Sequence, residues 1–143
     1  LEKILGFFNQ QQQKKIHITY PIDEQSFLNV DLTKMIICIK NILQNGFNYA
    51  NSKKGLEVSF LATGGGQEIT VQDFGPGISD VDKKHIFESF YRSESSKSTS
   101  GFGLGLSISK KIIEAHRGSI SLISELGKGT KFMLFVPGDI NDK

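Results

Sequence analysis

The sequence predicts a two-layer α/β sandwich, a mixed sheet of about five strands with three helices on one face. Two patterns predict it. Segments 15–20, 56–62, 67–73, 119–124 and 130–136 alternate apolar and polar residues with the period of a half-buried strand. Between them, stretches 31–50, 81–90 and 104–115 carry apolar residues at helical spacing. At 143 residues the chain can bury a real core as one domain.

Leu1, Ile4, Leu5 and Phe8 have helical spacing, and Asn9 with Gln10–Gln13 then dissolves the pattern into a polar linker. Residues 1–13 are therefore expected to be the tail of a preceding helix plus linker, and 14–143 the domain. A start at Leu1 rather than methionine adds the expectation that the chain is a piece of a longer protein. Lys15–Tyr20 alternates Ile16, Ile18 and Tyr20 and stops at Pro21, with His17 on the opposite, exposed face. Asp31 can cap a helix to about Ala50. Its apolar side takes Leu32, Met35, Ile36, Ile39, Leu43, Phe47 and Ala50, with Cys38 as a small core residue. Asn41, Asn45 and Asn48 fall on the opposite side within roughly 60° at about 100° per residue. Asparagine is poor inside helices. Three on one stripe are either a solvated face or the polar wall of a ligand site, where amides give metal-ligating oxygens and N–H donors.

After a turn at Asn51–Gly55, Leu56–Ala62 and Gln67–Asp73 form a hairpin about Gly64-Gly65-Gly66. The second strand ends on Asp73, followed by Phe74-Gly75-Pro76-Gly77-Ile78. A carboxylate at a strand end beside a glycine-proline-glycine turn suits a buried donor such as an exocyclic amine; alone, it reads first as a surface Asx-turn closing a hairpin. Asp80 or Asp82 would cap a helix from Val81 to Phe90 with Ile86, Phe87 and Phe90 apolar; its His85 belongs to the surface. Ser93–Ser100 has no apolar residue and is expected to be mobile until something binds. It leads into Gly101-Phe102-Gly103-Leu104-Gly105-Leu106, which opens a helix with Leu104, Ile108, Ile112 and Ala115 on its core side. Glycines at a helix N-terminus offer free N–H groups and a positive dipole end to phosphate. Ser119–Ser124 and Thr130–Val136 close the sheet around Gly127-Lys128-Gly129.

Several classes are excluded. A net charge of +2 is too mild to imply nucleic acid or an anionic membrane as partner. One cysteine allows no internal disulfide, and a reducing, cytoplasmic setting is expected. No run is long enough to span a bilayer. There is no G-x-x-x-x-G-K-[ST], and Leu106 breaks a G-x-G-x-x-G reading of the glycine run. No Ser-His-Asp or Cys-His set stands out, nor a His/Cys metal cluster.

Together the pieces resemble the ATP-binding catalytic domain of a bacterial two-component sensor histidine kinase, of the GHKL or Bergerat-fold family. Asn41-Ile-Leu-Gln-Asn45-Gly-Phe-Asn-Tyr49 is similar to its N box and Asp73-Phe-Gly-Pro-Gly-Ile78 to its G1 box. Ile86-Phe-Glu-Ser-Phe-Tyr-Arg92 is similar to the F box, Gly101–Leu106 to the G2 box, and Gly127-Lys-Gly-Thr130 to the last G-x-G-T motif. The resemblance implies a Bergerat fold with a flexible ATP lid, and ATP with Mg²⁺ as cofactors. It implies that Asp73 accepts the adenine amino group, with Gly75, Gly77 and Ile78 along the base and Thr130 near it. It gives Asn45 the Mg²⁺, Asn41 the phosphate and metal side, and Tyr49 the nucleoside side. Gly101, Gly103 and Gly105, with Leu104 and Leu106, would cradle the phosphates, and Arg92 and Lys97 would neutralise the γ-phosphate. Asn48 stands where the family often has a basic residue, so its phosphate contact would be a hydrogen bond. Arg117 replaces a common glycine, and Phe74 is bulkier than usual. The implied activity is protein-histidine kinase, with a histidine-bearing dimerisation domain of the same protein and a response regulator as partners. None of His17, His85 or His116 is followed by Glu or Asp, so the acceptor is expected outside this chain. The fragment would be monomeric and the parent homodimeric, either soluble or membrane-anchored. A GHKL-type ATPase or a non-catalytic nucleotide-binding or docking module is the alternative.

Overall fold

Alternating side chains and glycine-bearing turns fold the chain into one mixed, five-stranded sheet. The computed structural model describes residues 16–19, 28–50, 53–94 and 101–138. Strands β1 (Ile16–Thr19), β2 (Leu56–Thr63), β3 (Gly66–Asp73), β4 (Ser119–Glu125) and β5 (Gly129–Pro137) lie in the order β1-β2-β3-β5-β4. β1 and β2 are parallel and every other pair antiparallel. A parallel pair needs a crossover, and helix α1 (Leu32–Tyr49) supplies it. The helix tail and linker expected in residues 1–13, and Lys97 with most of the polar lid, lie outside the described residues.

Side-chain rows on the inner face run straight across the register. Val58, Val71, Phe132 and Leu122 form one row, and Phe60, Ile69, Leu134 and Ile120 the next. Val58, Val71, Phe132 and Leu134 are each 2% exposed or less. Each such side chain contributes about 1.5–3 kcal/mol through burial. At one end of β3 the hydrocarbon gives way to polar side chains on the same face. Asp73, Thr130 and Ser124 are all buried there.

Asp31 caps α1 as expected, its Oδ1 accepting from Lys34 N at 3.1 Å. Met35, Ile39, Leu43 and Phe47 are buried as expected, with Cys38 in the core. The buried side also takes in Ile42, fully buried, and excludes Leu32, 68% exposed, with Ile36 and Ala50 only half-buried. The cause is α3 (Gly105–Ala115), which lies along the flank of α1 and covers it. The Ser109 hydroxyl donates to the Cys38 carbonyl at 3.3 Å, and the Cys38 thiol to the Ser109 carbonyl at 3.8 Å. Burial pushes that thiol up to about 11, as befits an inert core cysteine. The expected core side of α3 is corrected in the same way. Ser107, Ser109 and Ile113 are buried and Leu106 and Ile112 pack on the core, while Ile108 and Ala115 are exposed. Small serines sit where two helices approach closely, and the Leu104–Ile108 side is left facing a cavity.

The helix expected over 81–90 is a single turn, α2 (Asp80–Lys83), capped by Ser79 rather than Asp80 or Asp82. The Ser79 hydroxyl accepts from Asp82 N at 3.1 Å and donates to Asp82 Oδ2 at 2.7 Å. Beyond it the chain continues in turns that bring Ile86 and Phe87 onto the core. Phe90 is 72% exposed with φ 67°, and its N–H donates to Gly103 O at 2.9 Å. That tie to the glycine run takes Phe90 out of any helix.

Candidate nucleotide-binding site

The site begins where the core rows turn polar. Asp73 is 3% exposed, and its Oδ1 accepts from Gly75 N at 2.9 Å and Thr130 N at 3.2 Å. Burial pushes its carboxyl above the ordinary 3.8, against these two backbone hydrogen bonds, which favour the charged form. Both bonds use one oxygen; the other has no hydrogen bond among the described residues, and Asp73 lines a cavity of about 470 Å³.

Gly77, Ile78, Tyr49, Asn45 and Thr130 line this cavity with Asp73. Gly75 stands behind the wall: a Cβ there would collide with the Tyr49 carbonyl and lie 3.2 Å from Asp73 Oδ1. Gly77 has φ 75°, and a Cβ would strike the Glu125 carbonyl. The turn thus sits directly on the β4–β5 hairpin, where Gly127 N donates to Pro76 O at 2.8 Å.

A second cavity of about 360 Å³ continues from the first, and Asn45, Tyr49, Ile86, Tyr91, Arg92 and Leu106 line both. Its walls are Asn41, Gln44 and Asn48 on α1, and Gly101, Gly103, Leu104 and Gly105 opposite. The asparagine stripe is therefore a cavity wall. Its members differ in how they are held. Asn41 Nδ2 donates to Gly105 O at 3.3 Å, which pins α1 to the start of α3. Asn48 Oδ1 accepts from Gln44 Nε2 at 2.9 Å. The Asn45 side chain makes no hydrogen bond among the described residues, and its amide is half-buried at the junction of the two cavities. Leu104 precedes α3 without any side-chain cap, so the first N–H groups of the helix keep their donors for another partner.

Sequence reasoning did not name Ser79, Asp82, Tyr91 or Ser124 as site residues. The Tyr91 hydroxyl donates to Asp82 Oδ1 at 2.6 Å; this bond and the one from Ser79 hold the Asp82 carboxyl below its usual range. Ser79, Asp82 and Tyr91 all line the first cavity, joining the glycine turn to the segment that carries Arg92. Ser124 accepts from Ile78 N at 2.8 Å and touches Thr130 Oγ1 at 2.8 Å. The Ser124 contacts depend on the β4–β5 pairing and on the glycine turn folding back onto it, and no local motif announces them.

An acid-floored apolar compartment joined to an amide- and glycine-walled one, on this sheet topology, defines an ATP-binding domain. The chain belongs to the histidine kinase-, DNA gyrase B- and HSP90-like ATPase family, whose model matches residues 30–140. Its relatives by sequence are sensor kinases. The adaptive-response sensory kinase SasA of Prochlorococcus marinus is 35% identical over 109 residues, covering 75% of this chain and 29% of the relative. The sensor-like histidine kinase SenX3 of Mycolicibacterium smegmatis is 37% identical over 105 residues, covering 72% and 27%. The chain thus spans less than a third of the length of these relatives. Among solved structures, the mycobacterial sensor histidine kinase MprB superposes with a TM-score of 0.82 at 22% identity, covering 96% of this chain and 91% of that one. The catalytic domain of histidine kinase ThkA superposes at 0.79 with 24% identity, covering 95% and 88%. The Bergerat fold implied by the sequence motifs is the fold observed. Among the described residues no helix is long and apolar enough to cross a membrane.

Proposed function

We propose that this domain binds Mg-ATP across the two compartments and presents the γ-phosphoryl group to a histidine on a separate dimerisation domain, for relay to a response regulator. The observation that carries the reading is the continuity of the two cavities, with buried Asp73 at one end and the Asn45–Gly105 walls at the other. Asp73 takes the adenine amino group on its second oxygen, while Gly75 and Thr130 fix the first. Gly77 and Ile78 lie along the base and Tyr49 beside the nucleoside. The phosphates lie against the Gly101–Gly105 backbone and the uncapped start of α3. Arg92, and Lys97 from the lid, neutralise charge at the γ-position. Phosphoryl transfer depends mainly on positioning and electrostatics, and these residues supply both.

The donor set fits Mg²⁺. Among the described residues no group of three or more His, Cys, Asp or Glu could cage a metal. A cation here would rest on the uncommitted Asn45 amide and on phosphate oxygens, the mixed ligation magnesium accepts. When bound, it would offset charge between the phosphates; Asn45 would orient it, and Asn41 would hold the wall behind.

Hydrolysis by the domain itself is disfavoured by Asn41. An amide is no base at neutral pH, and its nitrogen is already committed to Gly105 O. The test is incubation of the isolated chain with γ-labelled ATP, alone and then with a separately produced histidine-bearing dimerisation domain. Label should reach only the added domain. Acid-labile label on this chain alone, or none on the added domain, would reject the assignment.

A further inference from the structure

We propose that Ser124 is a specificity-determining positioning residue, which turns the Thr130 hydroxyl into a pure acceptor facing the base compartment. The inference rests on the ATP-binding reading and deepens it.

Ser124 lies near the end of β4 and is 7% exposed, and its Oγ has three neighbours. Ile78 N donates to it at 2.8 Å. It donates to Gly129 O at 3.0 Å, a carbonyl that can only accept. Thr130 Oγ1 lies 2.8 Å away. A serine has one proton. With that proton on Gly129 O, the contact with Thr130 is a hydrogen bond only if Thr130 donates. The Thr130 proton therefore points to Ser124, and its oxygen keeps only lone pairs for the cavity that Thr130 lines. Asp73, whose Oδ1 is held by Thr130 N, is also an acceptor when ionised. Asp73 and Thr130 thus both face the base as acceptors and neither offers a side-chain donor, which favours a 6-amino purine edge and penalises a 6-oxo edge. Without Ser124, the Thr130 hydroxyl can turn and donate to a 6-oxo group.

The measurement is the ratio of dissociation constants for Mg-ITP and Mg-ATP by calorimetry, since the two nucleotides differ at this edge. Wild type should prefer ATP. Ser124→Ala should reduce the preference about tenfold, the value of one hydrogen bond, and Ser124→Thr should restore it. Ser124→Ala in a Thr130→Val background should leave the ratio where Thr130→Val alone puts it. Equal weakening of both nucleotides in Ser124→Ala would show a merely structural role and overturn the proposal. If Ser124→Ala does not fold, Thr130→Val decides: an undiminished preference for ATP overturns it equally. Wild type that binds neither nucleotide would sink the ATP-binding reading itself, whereas wild type that binds both with an unchanged ratio across the variants sinks only the role of Ser124.

Discussion

Replacing Asp73 by asparagine separates the two things its carboxylate does. The side chain keeps its shape and an oxygen that can still accept from Gly75 N and Thr130 N. The other oxygen becomes an NH₂, so a donor faces the adenine amino group. The loss is one charge-assisted hydrogen bond, about 1.5–3 kcal/mol, or roughly 10- to 150-fold in affinity at 1.4 kcal/mol per tenfold. Calorimetry of Mg-ADP with wild type and Asp73→Asn reads this directly. The fold should respond in the opposite direction. The folded carboxyl sits above its ordinary 3.8 because burial disfavours its charge. An acid raised by folding lowers stability once pH exceeds its unfolded value, and the cost is complete above its folded value. The nucleotide-free Asp73→Asn protein should therefore melt at or above the wild-type temperature at pH 7. In the wild type, adenine binding should weaken as pH falls through the raised value, because the protonated acid donates at that edge. Unchanged ADP affinity would remove Asp73 from the base. Lower stability together with lost binding would mean that the variant had damaged the pocket instead of its chemistry.

Two further outcomes are expected. Asn45→Ala should abolish most of the gain in ADP affinity that Mg²⁺ confers, while moving the melting temperature by no more than about 2 °C, since its amide makes no hydrogen bond among the described residues; titration with and without Mg²⁺ checks it. Arg117 follows α3 with φ 59°, a conformation that costs an ordinary residue about 1–2 kcal/mol. Arg117→Gly should recover roughly 0.5–1 kcal/mol after the greater freedom of glycine in the unfolded chain is subtracted, seen as a rise of about 1–4 °C in melting temperature.

What the sequence showed, and what it hid, follows from the range over which each signal acts. Alternation along β2, β3, β4 and β5 is local, and the strands fall within a residue of their expected ends. Asp31 as cap is local too. The buried face of α1 widens beyond the expected one, and that of α3 shifts, because each helix has two neighbours, the sheet and the other helix, and a periodicity count supplies one direction only. Buried Ser109 against Cys38 is invisible to hydrophobic patterning, since it reads as polar. The expected helix over 81–90 failed for a comparable reason: Ile86 and Phe87 have helical spacing, but the tie from Phe90 N to Gly103 O belongs to the distant glycine run.

The same distinction explains which site residues were legible. Asp73, Asn45 and the glycine run carry short-range signatures, because an acid beside a glycine turn, an amide row and a bare helix start are each written in a few consecutive residues. Ser124 carries none. Its position matters only because β4 pairs with β5 at Ser124–Thr130 while the glycine turn folds back onto the same hairpin. The polarity of the Thr130 hydroxyl is thus decided by strand pairing, although the residue itself belongs to a recognisable motif. A change at Ser124 should alter which base edge is accepted without touching any residue of that motif, and the ITP-to-ATP ratio of Ser124→Ala against Ser124→Thr is where that separation is visible.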